Sequence, residues 1–202
     1  MAPSFLPLID ACDNFQLSNL SLQSAPVPFC LSSDPHTAIG LVFPDVVDAL
    51  QNDNALKSST GQPGSWILLK EDGGSRIKGV CFAEYVNTPE SRTKAIGELC
   101  RRWHVEGLFP DVIGGRLWRS ELYPIYKNPF GPHDDFSEAG RSNKAFEMER
   151  SACALFGVVQ FGVHMTIYYP EVRASDGKLV EEMKIWVPTR SKTKQTYVLS
   201  VL

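Results

Sequence analysis

The chain has 202 residues, a mass of 22.4 kDa and a formal net charge of −3, with 43% hydrophobic and 21% charged residues. That balance excludes disorder across the whole chain, and no run of about 18 apolar residues offers a membrane-spanning helix. The acidic sum also excludes a general polyanion binder, so neither nucleic acid nor membrane is expected as a partner.

The opening, MAPSFLPLIDACDNF, has no early Lys or Arg and is interrupted by Asp10 and Asp13, unlike a signal or transit peptide. Phe5, Leu8, Ile9 and Cys12 recur at helical spacing, and Ser4 can cap, so Ser4–Phe15 is expected as a short helix. Residues 16–36, rich in Ser, Pro and Leu, read as loop, and Thr37–Phe43 reads as a strand. Pro44 can start a helix with Val46, Val47 and Leu50 on one face. Residues 51–65 read as loop.

Ser65–Lys70 and Arg76–Tyr85 are β-rich runs joined through Asp72-Gly73-Gly74, a hairpin signal. Glu90–Gly107 is the clearest helix, with Ile96, Leu99, Cys100 and Trp103 as its buried stripe. Lys94/Glu98 and Arg102/Glu106 sit four apart on its polar side, as ion pairs would. Residues 128–143 form the best linker candidate. Lys144–Phe156 reads as a helix leading into a second unit. Gln160–Tyr169 and Lys178–Val187 read as strands joined by a turn at Ser175-Asp176-Gly177. Because the order does not alternate βαβα, an α+β fold is expected. The domains are an N-terminal α+β domain over 1–127, a linker and helix over 128–148, and a β-rich piece over 149–202.

Five cysteines (Cys12, Cys30, Cys81, Cys100 and Cys153) are widely spaced and odd in number, with no CxxC. Reduced thiols in the cytoplasm are the expectation. The four histidines make neither HxxxH nor HExxH. His133 in Pro-His-Asp-Asp reads as a solvated turn before a metal ligand, and His164 as a core or edge residue. GxSxG, GxGxxG and GxxxxGK[ST] do not occur, so no catalytic or metal-binding residue is assigned.

Two segments carry candidate binding residues. In IGGRLWRSELYPIY (113–126), Trp118 and Tyr123 can stack a ring and Arg119 can hold an anion; the alternative is a core strand with Arg119 paired to Glu121 or Glu106. In KIWVPTRSKTKQTY (184–197), no acid follows Glu182, and Arg190 and Lys194 lie four apart past a strand end. There they can converge on one anion, a diphosphate by charge and reach, or form a solvated basic loop.

WRSELYPIY at 118–126, Glu149-Arg150, FGVHMTIYY at 161–169 and the 184–197 segment, with LPLIDACDNF near the start, resemble the thiamin pyrophosphokinase-related Nudix hydrolases. In those proteins an N-terminal α+β domain precedes a Nudix domain of α/β/α type. The resemblance implies Mg²⁺-dependent hydrolysis of a small-molecule diphosphate, either a thiamine diphosphate derivative or an oxidised nucleoside diphosphate. It places Arg190 and Lys194 on the substrate diphosphate; Trp118 and Arg119 stay the further substrate-binding candidates read from the 113–126 segment. The sequence departs from the family after Tyr197. The Nudix box, G-x5-E-x7-R-E-U-x-E-E-x-G-U, is absent, so 149–202 is expected as an incomplete Nudix domain. The chain is expected to be inactive alone and to hold no metal itself. The alternative is a non-catalytic ligand- or partner-binding module.

Overall fold

The computed structural model describes residues 25–71, 73–131, 143–162, 165–175 and 178–187. The expected helix over Ser4–Phe15, the histidines at 133 and 164, and the Arg190/Lys194 pair lie outside these residues.

The chain forms two compact units, divided after Val159. In the first, helices and strands are mixed in an α+β arrangement. Four strands, β1 (Val27–Cys30), β2 (Ala38–Val42), β3 (Trp66–Lys70) and β4 (Ile77–Phe82), make one sheet in the order β2-β1-β4-β3. β1 runs parallel to β4, while β1–β2 and β3–β4 are antiparallel.

β1 lies inside the stretch expected as loop. A four-residue VPFC segment with proline is a poor strand by local preference. It forms because β2 and β4 flank it and because Phe29 is sealed among Phe82 (5.3 Å), Phe156 (5.1 Å) and Trp66 (6.4 Å).

Helix α1 (Pro44–Ser59) starts at Pro44 as expected but runs through the segment read as loop to Ser59. Tertiary bonds hold the extra turns. The Asn54 side chain donates to the Trp66 carbonyl (2.7 Å) and accepts from the Trp66 amide (3.2 Å), which splices α1 to β3. Helix α2 (Pro89–Glu106) opens on a Thr88/Ser91 capping box and closes at Gly107 in the left-handed region, φ 72°. Its expected stripe is buried throughout. Arg102 pairs with Asp53 of α1 and not with Glu106, and among the described residues Lys94 and Glu98 form no ion pair. A short turn, α3 (Pro110–Ile113), follows.

β5 (Leu122–Tyr126) pairs antiparallel with β6 (Lys144–Glu149). The helix expected over Lys144–Phe156 is therefore a strand followed by a 3-10 turn at Arg150–Ala154. Ala145, Phe146, Met148, Cys153 and Phe156 join the same core as α2 and the sheet. Packing carries the first unit through Val159, beyond the boundary at 127 read from the sequence. Asn128 and Asn143, either side of residues 132–142, bond reciprocally at 2.8 and 2.9 Å. Cys30, Cys81, Cys100 and Cys153 are buried free thiols. No helix among the described residues is long and apolar enough to cross a membrane.

The second unit contains the antiparallel pair β7 (Ile167–Ser175) and β8 (Lys178–Trp186). The first strand lies later than the expected Gln160–Tyr169, since its pairing with β8 runs from Ser175 opposite Lys178 back to Ile167 opposite Trp186. On one face Glu171 and Glu182 sit opposite each other, and Lys184 bridges them at 3.4 and 3.3 Å. Tyr168, Met183 and Ile185, of the other face, are exposed.

Candidate functional site

The motif residues around 118–126 and 149–150 converge, but on one another. Glu149 is buried, and its Oε1 accepts from the Arg119 amide (3.0 Å), the Ser151 amide (3.2 Å) and the Ser151 hydroxyl (2.8 Å). Arg150 reaches Glu121 at 2.6 Å and lies 5.6 Å from the Tyr123 ring centre. Arg150, not Arg119, thus takes the Glu121 carboxylate. Trp118 stacks on His104, centroids 4.6 Å apart, and His104 Nδ1 lies 2.6 Å from the Ile113 carbonyl oxygen. These contacts fix the approach to β5 and the exit from β6. The Arg119 side chain itself is exposed.

A second constellation was not singled out in the sequence. Asp53 of α1 is buried, with only 4% of its surface exposed. Its carboxylate takes the Trp66 indole N–H at 2.8 Å, pairs with the Arg102 guanidinium, and has the Lys57 ammonium 3.8 Å away. Lys57 also donates to the Ser65 hydroxyl at 2.6 Å. One carboxylate therefore ties α1, α2 and β3 together, and its charge is answered by two cations.

Directly beside this hub lies a cleft of about 420 Å³ between α1 and the last turn of α2. Asp45, Asp48 and Asn52 follow one face of α1 at helical spacing, and Leu56 continues that face. From α2 come Arg102, Trp103 and Glu106; Leu108 and Phe109 close the end. Trp103 and Phe109 meet edge to face, centroids 5.2 Å apart. Phe109 has φ 53°, a left-handed conformation unusual for a bulky residue. Asp45 and Asp48 lie in the stretch expected as helix; the helical course of 51–59 brings Asn52, Asp53 and Leu56 beside them, and a loop assignment there conceals that part of the cleft.

Away from the cleft, Arg92 is 9% exposed, and its Nε has no hydrogen-bond partner among the described residues. Its guanidinium lies 5.8 Å from the Phe82 ring centre. Burial lowers its pKa. Among the thiols, burial pushes Cys30 up and Cys81 up to about 11, with smaller contributions from Asp34 and Cys30 respectively; burial likewise raises Cys100. Among the described residues no group of three His, Cys, Asp or Glu side chains is placed to hold a metal ion.

Residues 4–160 match the family described as "Domain of unknown function (DUF4743)". The chain is 27% identical over 111 residues to "Uncharacterized protein YJR142W" of Saccharomyces cerevisiae, covering 54% of this chain and 26% of that protein. It is 29% identical over 109 residues to "Nudix hydrolase 20, chloroplastic" of Arabidopsis thaliana, covering 54% of this chain and 22% of that protein. The matched segments thus span about a quarter of the length of these curated relatives.

Proposed function

The chain belongs to the DUF4743 family, a domain of unknown function, and from that footing we propose that it is the recognition part of a Nudix-type diphosphate hydrolase. The observation that carries this reading is the likeness over half the chain to a protein named a Nudix hydrolase. These 202 residues contain no Nudix box. On this reading the chain contributes binding surface, and water attack on a diphosphate needs residues it does not itself contain. The motif resemblance extends the proposal to the thiamin pyrophosphokinase-related group. Its substrates are thiamine diphosphate derivatives or oxidised nucleoside diphosphates, held at one end by Arg190 and Lys194. The Mg²⁺ expected of that group finds no matching set of ligands among the described residues.

The test is phosphate release by the 202-residue chain, with Mg²⁺ and both substrate classes. No turnover above a heat-killed control is expected, and turnover overturns the non-catalytic assignment. Pyrophosphate titration, followed by amide shifts at 188–197, checks the clamp. A pair of cations without a metal ion supports affinity no tighter than about millimolar. The loss is expected to be larger for Lys194→Ala than for Lys192→Ala, and equal losses sink the clamp.

A second reading, a ligand-binding module with no tie to hydrolysis, is favoured by the α1/α2 cleft. Its carboxylates repel a diphosphate, so the cleft serves a different ligand or a different part of one.

A further inference from the structure

We propose that Arg92 is an oxyanion-binding residue: the open end of its guanidinium, where β4 gives way to α2, takes a compact carboxylate or phosphate group. The inference stands apart from the hydrolase-linked reading. Arg92 is nine-tenths buried, and among the described residues it has no carboxylate partner and its Nε no hydrogen bond. Nε is sealed from solvent; the two terminal nitrogens are not sealed in this way. The stem and Nε are thus held within the protein, while the Nη1/Nη2 end keeps contact with solvent and has N–H donors unspent on any described residue.

Position makes this charge harder to explain. Arg92 stands at the close of the first turn of α2. Helical side chains lean back toward the N-terminus, and the guanidinium lies 5.8 Å from the ring centre of Phe82, the last residue of β4. The start of a helix carries partial positive charge, so a cation is unfavourable there and an anion is favoured. The Ser91 amide already donates to the Thr88 hydroxyl and the Arg92 amide to the Thr88 carbonyl. The helix therefore contributes its field, and the guanidinium contributes the bonds. Glu90, in the same turn, is exposed and does not pair with Arg92.

Packing alone accounts for the stem and leaves the guanidinium without a role. A methionine stem covers the Phe82 ring equally well and carries no charge. Burial without a partner lowers the Arg92 pKa, a sign that the charge is held at a cost. A buried polar group left unbonded calls for an occupant, and an oxyanion is the one that fits this donor set. Arginine presents a planar fork that matches two oxygens of a carboxylate or phosphate. With Nε sealed, Nη1 and Nη2 are the bidentate edge left open, so the head group approaches end-on and the body of the ligand stays outside.

The experiment uses the full chain, with inorganic phosphate and acetate as probes and chloride as the control ion at constant ionic strength. NMR follows the Arg92 Nε–Hε resonance and the amides of 82–95. Saturable shifts are expected there with an oxyanion and none with chloride; whether phosphate or acetate gives them tells a phosphate source from a carboxylate source. Arg92→Lys keeps the charge without the fork and is expected to weaken binding about five- to tenfold. In Arg92→Met the shifts at 82–95 are expected to vanish. Phosphate also stabilises proteins by exclusion from their surface, so thermal unfolding is read as a difference. At tenfold excess over Kd, the parent should gain about 3–6 °C more than Arg92→Met. Where a variant fails to fold, the Nε–Hε titration of the parent decides alone. No saturable shift with either probe well above the roughly millimolar range overturns the proposal. So does full affinity in Arg92→Lys, an equal thermal gain in Arg92→Met, or a response confined to 188–197, which assigns the anion to Arg190 and Lys194. Turnover in the phosphate-release assay leaves Arg92 binding untouched, so failure here and failure of the hydrolase-linked reading are separable.

Discussion

Replacing Arg92 by methionine is expected to stabilise the protein, the reverse of the usual result for a buried side chain. The residue is nine-tenths buried, and among the described residues it has no carboxylate partner and its Nε no hydrogen bond. Withdrawing an unpaired ion from water costs up to several kcal/mol after relaxation, and less where only the Nε is sealed. The Phe82 ring at 5.8 Å returns about 0.5–2 kcal/mol of that. Methionine keeps an unbranched apolar stem against the same neighbours. The expected gain is about 1–3 kcal/mol, which for a chain of this size raises Tm by roughly 2–10 °C. Arg92→Ala serves as the control and falls below the methionine variant, because it also vacates the volume of the stem. Burial lowers the Arg92 pKa, so the folded state holds this proton less tightly than the unfolded chain. The penalty is fully present below the folded value and is relieved only as pH rises through it. The methionine gain should therefore be constant across the neutral range. Urea denaturation at two pH values supplies the measurement. A methionine variant less stable than the parent by more than about 1 kcal/mol refutes the reasoning, since it requires a partner for Arg92.

Asp53→Asn should lower stability by about 2–4 kcal/mol, less than for a fully sealed pair because Arg102 and Lys57 retain some exposure. An unchanged urea midpoint would show that the hub is screened. Cys30, Cys81 and Cys100 should resist Ellman's reagent in the native state near neutral pH and react once guanidinium unfolds the chain. Because the raised Cys81 value favours the folded thiol, its contribution holds below the ordinary 9.0 and is lost as pH rises through about 11; rapid native labelling of Cys81 contradicts its burial. Amides of β7 and β8 should exchange faster than those of β1 and β4, since two strands with exposed apolar side chains seldom hold alone; equal protection would mean that the pair is covered.

Legibility in the sequence followed how local the cause was. Helix α2 was readable because its cap, stripe and terminal glycine lie within twenty residues of one another. The β3–β4 hairpin was readable from its turn. β1 was not, because VPFC is completed as a strand by Val80 and Cys81 and sealed by Trp66, Phe82 and Phe156, all far along the chain. The second half of α1 was not, because the bonds that hold it end on Trp66 and Arg102. That local misreading hid the part of the cleft formed by Asn52, Asp53 and Leu56. Trp118 and Arg119 were legible as unusual residues. What they touch, His104 and Glu149, depended on the β5–β6 register and on α2.

The chain at Phe156–Val158 crosses β2 backbone to backbone: a Cβ on Gly40 would lie 2.2 Å from the Phe156 carbonyl oxygen, and one on Gly157, at φ 55°, would lie 2.3 Å from that of Leu41. During synthesis this crossing sets a delay. The last strand of the four-stranded sheet ends at Phe82, and Val158 emerges about 76 residues later. At about 5–20 residues per second, the nascent sheet waits roughly 4–15 s for Phe156 to arrive over Phe29 and Trp103. Over that interval the half-built core presents its aromatic face to the cell, so the ribosome's pace and any chaperone waiting at the exit become determinants of yield, and a stop codon anywhere in the gap makes the exposure permanent.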